Sequence, residues 1–403
     1  MIMNTSLSKD LIKKLEKDHN EILDYLIDRN YQIQDLPPKN ITTQSEGEAY
    51  TIAYPIQGIL KYHGIVNAKH RIPYFPSISL NNDCGFTISY LKFDKNLKED
   101  HAFLNGKPAF NDELERVKFT LDFIRSYSKI HTKAILISRN FLKAERGQQI
   151  GKGLGTSASG SSALALAAAA IIYNNNANYI HNKRLLSIFS RYLASSGSRS
   201  STGGFSLLLS HPNIDPFDCF SIRLDRKEHQ SFIEEIALLT IPMNSELKTH
   251  QAHEIVPNSP FFSAWLEQRK KLIFEFFEAL ENSNLNKIGE LAEYDTFCLH
   301  SVAMSVKSNN IIAWEPDTLK IMLKIRELRK KIGYNVYFSI DTGPSLVLLT
   351  HENEKSKIID ELKPFIPEYE IIEGKISGPS KIITSTSSEA KKIKADIENF
   401  INF

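Results

Sequence analysis

Glycine and hydroxyl residues are concentrated in the segment GKGLGTSASG at 151–160, directly before an Ala-rich stretch of high helix propensity. Glycine lets backbone N–H groups approach a ligand closely, and the first turn of a helix attracts anions. The segment therefore predicts a phosphate site that includes Gly153, Gly155, Ser157 and Ser159. It fits neither GxxxxGK[ST] nor GxGxxG with a downstream acidic residue, so the common nucleotide motifs do not explain it. A flexible loop before an ordinary helix is the alternative.

A second segment, LASSGSRSSTGGF at 193–205, places one arginine among serines and glycines. The planar guanidinium of Arg199 suits a phosphate or carboxylate, with the Ser196 and Ser198 hydroxyls on either side of Gly197. Taken alone, the segment is equally well interpreted as a solvated turn.

Charged residues next to apolar strands form the third and fourth candidates. Asp341, in SIDTGPS, ends a predicted strand and is either a turn former or an acid near the phosphate site. Lys61 lies within an apolar strand and needs a partner if it points inward. The basic cluster at 69–71 is interpreted first as a solvated face and second as a ligand site.

The predicted elements place these segments at the ends of strands and helices. Residues 7–30 have the apolar spacing of an amphipathic helix, and prolines follow it. Strands are predicted at 51–64, 76–94 and 132–142, before the glycine-rich segment, and helices after it at 156–176 and 184–195.

The pattern restarts near residue 228. A strand is predicted at 233–243, two strands around Asp341, and helices at 261–282, 285–306, 317–333 and 387–401. We therefore expect an N-terminal helical extension and linker over 1–48, a first domain with the phosphate loop over 49–227, and a second domain over 228–403.

Composition narrows the class of protein. A chain of 403 residues suggests two or three domains. Lys plus Arg number 49 and Asp plus Glu 47, which gives a net charge of +2 and makes nucleic acid a poor candidate partner. The 3 cysteines are widely spaced, which favours a reduced cytoplasm over a disulfide framework or a metal site. No stretch is long and apolar enough to predict a membrane span.

Together and in this order, the segments resemble the ATP-dependent mevalonate diphosphate decarboxylases, a branch of the galactokinase, homoserine kinase, mevalonate kinase and phosphomevalonate kinase (GHMP) superfamily. The resemblance runs from about residue 50 to the C-terminus. The matching stretches are Lys61-Tyr62-His63-Gly64, Leu104-Asn105-Gly106 with Arg116, Gly153 to Gly160, Ala194 to Gly204, His300-Ser301-Val302-Ala303, and Ile340-Asp341-Thr342-Gly343-Pro344.

The resemblance implies an α/β fold of two-layer sandwiches in two lobes, with the active site between the lobes. It assigns the catalytic Asp, Lys and Arg of the family to Asp341, Lys61 and Arg199. It also implies that Tyr62 and Arg116 contact the substrate phosphate at the 5-position, beside the glycine and serine residues of the two loops.

Two departures from the family pattern indicate the subclass. Ile65 stands where the family has a lysine that helps to hold a diphosphate, and His63 replaces an aromatic residue. The short link that borders the adenine site is similar only at Asn140-Phe141 and then becomes the longer, charged LKAERGQQIGK. With these departures and the N-terminal extension, the chain resembles an archaeal branch of the family. In that branch one protein phosphorylates mevalonate at the 3-position and another decarboxylates mevalonate 3,5-bisphosphate.

Because the catalytic Asp and Lys are kept, we expect the decarboxylase of that branch, which needs neither ATP nor a metal and acts as a homo-oligomer. The alternatives are an ATP-dependent (phospho- or diphospho-)mevalonate decarboxylase that uses Mg, a mevalonate 3-kinase, and a silent ligand-binding member. In the favoured reaction Asp341 stabilises positive charge at C3, Lys61 pairs with Asp341, and Arg199 binds the departing phosphate.

Overall fold

The computed structural model describes residues 7–38, 40–144, 154–245, 249–307 and 311–401. Helices occupy α1 (Lys9–Asp28), α2 (Asn111–Ser128), α3 (Thr156–Ile172), α4 (Ala177–Ile180), α5 (Lys183–Leu193), α6 (Gly197–Thr202), α7 (Gln230–Glu234), α8 (Thr249–Ile255), α9 (Phe262–Glu267), α10 (Arg269–Glu281), α11 (Leu285–Met304), α12 (Pro316–Glu327), α13 (Lys355–Leu362), α14 (Ser388–Lys391) and α15 (Lys394–Ile401). Strands occupy β1 (Gly47–Ala53), β2 (Ile56–Leu60), β3 (Ile65–Asn67), β4 (Ile72–Pro73), β5 (Ser77–Asn81), β6 (Gly85–Asp94), β7 (His101–Leu104), β8 (Lys107–Pro108), β9 (Lys133–Leu142), β10 (Phe205–Leu208), β11 (Ser221–Arg223), β12 (Ile236–Ile241), β13 (Val336–Ser339), β14 (Leu346–His351), β15 (Ile372–Gly374) and β16 (Lys381–Ile383).

One face of the first sheet is covered by helices. Its strand order is β16-β1-β6-β9-β7-β8, antiparallel except for the β7–β9 pair. Helix α3 packs on β1 and β6, and its alanines are buried on nearly every side. A helix that is apolar all round belongs inside a protein, which explains the Ala-rich sequence. Small side chains let α3 lie close to the sheet and to α5.

Two further sheets, β11-β10-β5-β2 and β13-β14-β12-β15, share a core with α10 and α11. That core joins Leu60 at the end of β2, Phe205 of β10, Phe276 of α10, Ala292 of α11 and Val347 of β14. Side chains from both halves of the chain therefore fill one apolar volume, and α11 contacts both β2 and β13. The α/β fold expected from the sequence is confirmed.

The C-terminal end of the chain differs from the domain prediction. Strand β16 pairs with β1, with Ile383 opposite Tyr50, and so extends the first sheet. The ring of Phe400 stacks on Phe103 at 4.1 Å. Residues 381–401, expected in the second domain, therefore complete the first one, because an edge strand can be supplied from any distance along the chain.

The N-terminal extension forms helix α1, as its apolar spacing predicts. Its buried leucines, Leu11 and Leu15, join a cluster with Phe75 and Trp265. Beside this buried face, Lys270 of α10 forms ion pairs with Asp18 at 3.1 Å and Glu21 at 2.7 Å. The extension thus packs on α9 and α10 of its own chain.

Candidate active site

Lys61 directly follows β2 and is buried, with 3% of its surface exposed. Its ammonium donates to the Thr296 hydroxyl at 3.1 Å and to the Ala292 carbonyl at 3.4 Å, both on α11. Burial lowers the pKa of Lys61, and the carboxylates of Asp341 and Asp295 oppose that shift.

Asp341 stands just after β13, at the turn that the sequence predicted. Its carboxylate accepts from the Gln57 amide at 3.1 Å and from the Gly58 backbone N–H at 3.3 Å. Gln57 also donates to the Ser339 hydroxyl at 2.9 Å, and Ser339 donates to the Gly58 carbonyl at 2.6 Å. Strand β2 therefore fixes the Asp341 carboxylate through two consecutive residues.

Gly58 separates the predicted catalytic Lys and Asp. A Cβ atom at Gly58 would lie 2.7 Å from Lys61 Cγ and 2.8 Å from Asp341 Oδ1. Among the hydrogen bonds and ion pairs of the described residues, none joins Lys61 directly to Asp341, which differs from the pairing expected from the sequence. Burial raises the pKa of Asp341, and the Lys61 and Arg199 charges counteract that rise.

Arg199 lies in α6, which is buried rather than forming a solvated turn. Its guanidinium stands 5.3 Å from the centre of the Tyr62 ring. Within the described part of the chain, the buried Nε and Nη1 of Arg199 have no hydrogen-bond partner. Buried polar groups are normally paired, so these two N–H groups indicate a position for an anionic ligand.

Arg71 is a second cation close to Tyr62. The charges of Arg199 and Arg71 oppose the rise that burial causes in the pKa of Tyr62, and the Ser195 hydroxyl contacts its phenol. Arg71 is itself partly buried, and its pKa is lowered first by burial and then by the charge of Arg116. Arg71 therefore lies near both Tyr62 and Arg116, and Arg116 itself is an exposed residue of α2.

The glycine-rich segment is described only from residue 154, so Gly153 lies outside the described residues. Gly155 has a φ of +67°, and a Cβ atom there would stand 2.3 Å from the Ile56 carbonyl, so glycine is required. Ser157 is exposed in the first turn of α3. The Ser159 hydroxyl is buried, donates to the Thr156 carbonyl and contacts Thr87, which differs from the phosphate role predicted for it.

The two serines beside Arg199 also differ in whether their hydroxyls have a partner within the protein. Ser196 is half-buried and makes no capping bond at the start of α6. Ser198 is buried and donates to the Ser187 carbonyl at 2.9 Å, so its hydroxyl has a partner inside the protein instead of the predicted phosphate. Gly197 allows close packing, because a Cβ atom there would lie 2.5 Å from Ser161 Cβ.

Three histidines lie at the site, although none of them was assigned to it from the sequence. His63 is buried, and its Nε2 lies 2.8 Å from the Thr342 hydroxyl next to Asp341. Its ring meets His253 edge-on at 5.0 Å. Burial lowers the pKa of His300 to about 3, against backbone hydrogen bonds with Ile340 and Asp341 that raise it. Burial also lowers the pKa of His63, so His63 and His300 are neutral at pH 7.

The sequence of α11 contains a pattern that could have placed this helix at the site. Helix α11 buries residues at helical spacing, and the buried stripe contains Asp295, Thr296 and His300 among leucines and alanines. Charged residues are rarely buried without a role in a site or a partner. An apolar stripe interrupted by such residues therefore indicates a helix that contacts a functional site.

The fold and this buried cluster define a class of protein. A mevalonate diphosphate decarboxylase from Staphylococcus aureus aligns with a TM-score of 0.74 at 24% identity, covering 84% of this chain and 98% of that one. A mevalonate-3-kinase from Thermoplasma acidophilum aligns with a TM-score of 0.67 at 16% identity, covering 85% and 99%. The chain has the two-lobed fold that these GHMP-type enzymes share.

The model of the diphosphomevalonate decarboxylase-like N-terminal domain matches residues 53–215. A mevalonate 3,5-bisphosphate decarboxylase of Thermoplasma acidophilum is 28% identical over 368 residues, which span 90% of this chain and 84% of that protein. A phosphomevalonate decarboxylase of Haloferax volcanii is 26% identical over 83% of this chain and 98% of its own length. The family resemblance inferred from the motifs is therefore confirmed.

Proposed function

We propose that this chain decarboxylates mevalonate 3,5-bisphosphate without ATP and releases isopentenyl phosphate, carbon dioxide and phosphate. The observation that carries the proposal is the buried Arg199: its Nε and Nη1 have no hydrogen-bond partner among the described residues, and its guanidinium lies close to Tyr62 and interacts with the charge of Asp341. Relatives named for this activity, at 28% and 26% identity over most of the chain, support it.

The chemistry requires two bonds to break at one substrate. The C3–O bond breaks with its electron pair leaving on the phosphate, and the bond to the carboxylate breaks with its pair forming the double bond. The departing phosphate gains negative charge and takes up a proton. A buried guanidinium aimed at this charge stabilises the transition state more than the ground state.

The remaining residues position the substrate and balance its charge. Asp341, fixed by Gln57 and Gly58, stabilises the positive charge that develops at C3 and cannot serve as base for an oxygen that already carries phosphate. Lys61 neutralises negative charge beside it. The exposed or half-buried cations Arg71 and Arg116 bind the 5-phosphate.

Nucleotide dependence tests the proposal. We expect synthetic mevalonate 3,5-bisphosphate to yield equal amounts of isopentenyl phosphate, carbon dioxide and phosphate whether or not ATP and Mg²⁺ are present. Turnover only with ATP and a substrate with a free 3-hydroxyl would instead establish an ATP-dependent decarboxylase. Phosphomevalonate, the substrate in the name of the Haloferax volcanii relative, is the first such substrate to test. In that case Asp341 acts as base for the hydroxyl.

The Asp341→Asn variant tests the site itself. We expect kcat to fall by roughly 100-fold to 1,000-fold, the usual cost of removing one charge or donor aimed at the transition state. The Glu352→Gln variant, a neighbour of the same sheet outside the site, should turn over normally. Near-normal turnover by Asp341→Asn would show that the Asp341 charge is not needed for catalysis.

We propose that the protein works in the cytoplasm. Cys84, Cys219 and Cys298 are all free, which supports a reducing compartment such as the cytoplasm. Over the described ranges, no helix is both long and apolar enough to cross a membrane. We propose a homo-oligomer by analogy with the superfamily, and light scattering of the purified chain measures its mass.

A further inference from the structure

One turn of α11 binds both the backbone N–H and the side-chain ammonium of Lys61. The Asp295 carboxylate accepts the backbone N–H of Lys61, and the next residue, Thr296, accepts from the Lys61 ammonium at 3.1 Å. Ala292, one turn earlier, supplies a carbonyl to the same ammonium at 3.4 Å. The backbone and the charged end of Lys61 are therefore both fixed by this helix.

Asp295 is in turn fixed by Arg269 of α10. The two side chains form an ion pair, with Arg269 1% exposed and Asp295 fully buried. The Trp265 indole also donates to Asp295 at 3.3 Å, and the Arg269 guanidinium stands 4.6 Å from the centre of the Phe75 ring. A buried ion pair contributes little net stability compared with apolar residues of the same size, so stability alone does not account for it.

The same helix also reaches the residue before Asp341. The Thr296 hydroxyl accepts the backbone N–H of Ile340 at 3.2 Å. Thr296 therefore contacts the Lys61 ammonium and the backbone next to Asp341 at once. Any shift of this turn of α11 changes the distance between the two catalytic charges.

We propose that Asp295, held by Arg269, is a positioning residue that fixes Lys61 against Asp341 and sets the charge balance around the Lys61 ammonium. The inference deepens the proposed function and rests on it. Asp295 itself does not touch the substrate, because its carboxylate is already occupied by Lys61, Trp265 and Arg269.

The charges around Lys61 give this proposal a distinctive signature. Asp341 and Asp295 raise the pKa of Lys61 against the lowering by burial, whereas Arg269 lowers it. The other titratable groups facing Lys61 are Cys298, whose thiol pKa is raised by burial, and the neutral His63 and His300. Removing the charge of Asp295 and removing that of Arg269 must therefore move the pKa of Lys61 in opposite directions.

The experiment compares the pH dependence of kcat/KM for the full-length wild type, Asp295→Asn and Arg269→Gln. Activity that needs the Lys61 ammonium is lost as pH rises through its pKa. We expect the alkaline limb to move down by about one pH unit in Asp295→Asn and up in Arg269→Gln. Shifts in the same direction, or unchanged limbs in both variants, would overturn the proposal.

A double variant separates positioning from folding. Arg269→Met combined with Asp295→Leu replaces the ion pair by apolar side chains but leaves the Lys61 and Trp265 N–H groups without their acceptor, so it should melt below the wild type and still fold. We expect its kcat to remain about 10-fold or more below wild type, because the Lys61 N–H has lost its acceptor. Wild-type kcat in the folded double variant would show that the pair is only structural.

A spectroscopic readout distinguishes failure of this inference from failure of the proposed function. The pKa of Lys61 is followed by the ¹³Cε shift in lysine-labelled protein, with the signal assigned by its loss in Lys61→Arg. If the wild type does not turn over mevalonate 3,5-bisphosphate, the opposite shifts of Asp295→Asn and Arg269→Gln still test the charge balance. Equal titration of Lys61 in all three proteins contradicts it.

Discussion

Gly58 offers the sharpest test of how closely the site is packed. The Gly58→Ala variant adds one methyl group at a place where it would lie 2.7 Å from Lys61 Cγ and 2.8 Å from Asp341 Oδ1. Gly58 lies within β2 and has no left-handed backbone conformation, so alanine is compatible with the strand. The perturbation therefore acts on the two catalytic side chains and leaves the backbone conformation unchanged.

The expected loss follows from the distances. Ordinary contacts between nonbonded carbon atoms are about 3.5–4.0 Å, so Lys61 and Asp341 must each move by roughly 1 Å. A displacement of about 1 Å in a catalytic group costs on the order of 100-fold in rate, or about 2.7 kcal/mol of barrier. We expect kcat to fall by that amount, while KM for a substrate held by its 5-phosphate changes little.

The assay is steady-state release of phosphate from mevalonate 3,5-bisphosphate, with thermal unfolding measured on the same samples. Gly378→Ala is the matched control, because a Cβ atom there has no neighbour within 4 Å. We expect that control to turn over like the wild type. If folded Gly58→Ala also kept wild-type kcat, the fixed Lys61–Gly58–Asp341 geometry would not be required for the reaction.

Three further expectations concern binding, folding and pH. Arg71→Ala should raise KM about 10-fold with kcat nearly unchanged, as expected for a contact made equally in ground and transition states, whereas the exposed Lys69→Ala should bind normally. Leu15→Ala should lower the free energy of unfolding by about 2–5 kcal/mol in urea, and the exposed Ile27→Ala should not. Since the pKa of buried His300 is about 3 against 6.5 when unfolded, the unfolded chain binds the extra proton between these values. Stability should thus fall by about 3 kcal/mol from pH 7 to pH 4, and less in His300→Gln.

The segments that carry the site were evident in the sequence, for local physical reasons. The Asp-Thr-Gly-Pro turn, the glycines before a strong helix former and an arginine among serines are each unusual within a few residues. Other features also depend only on neighbouring residues. They are the backbone conformation at Gly155 and the strand ends beside Lys61 and Asp341. Such features are present in the sequence itself, and the motifs in order indicated the family.

What only the tertiary structure decided is the set of partners. The sequence predicts an ion pair between Lys61 and Asp341. In the folded chain the Lys61 ammonium instead donates to Thr296, and the Asp341 carboxylate accepts from Gln57 and Gly58. Likewise, the C-terminal strand β16 lies in the first sheet because β1 has an open edge there. These contacts join residues more than 200 positions apart, and hydrophobic periodicity, which reports burial, carries no information about which distant elements meet.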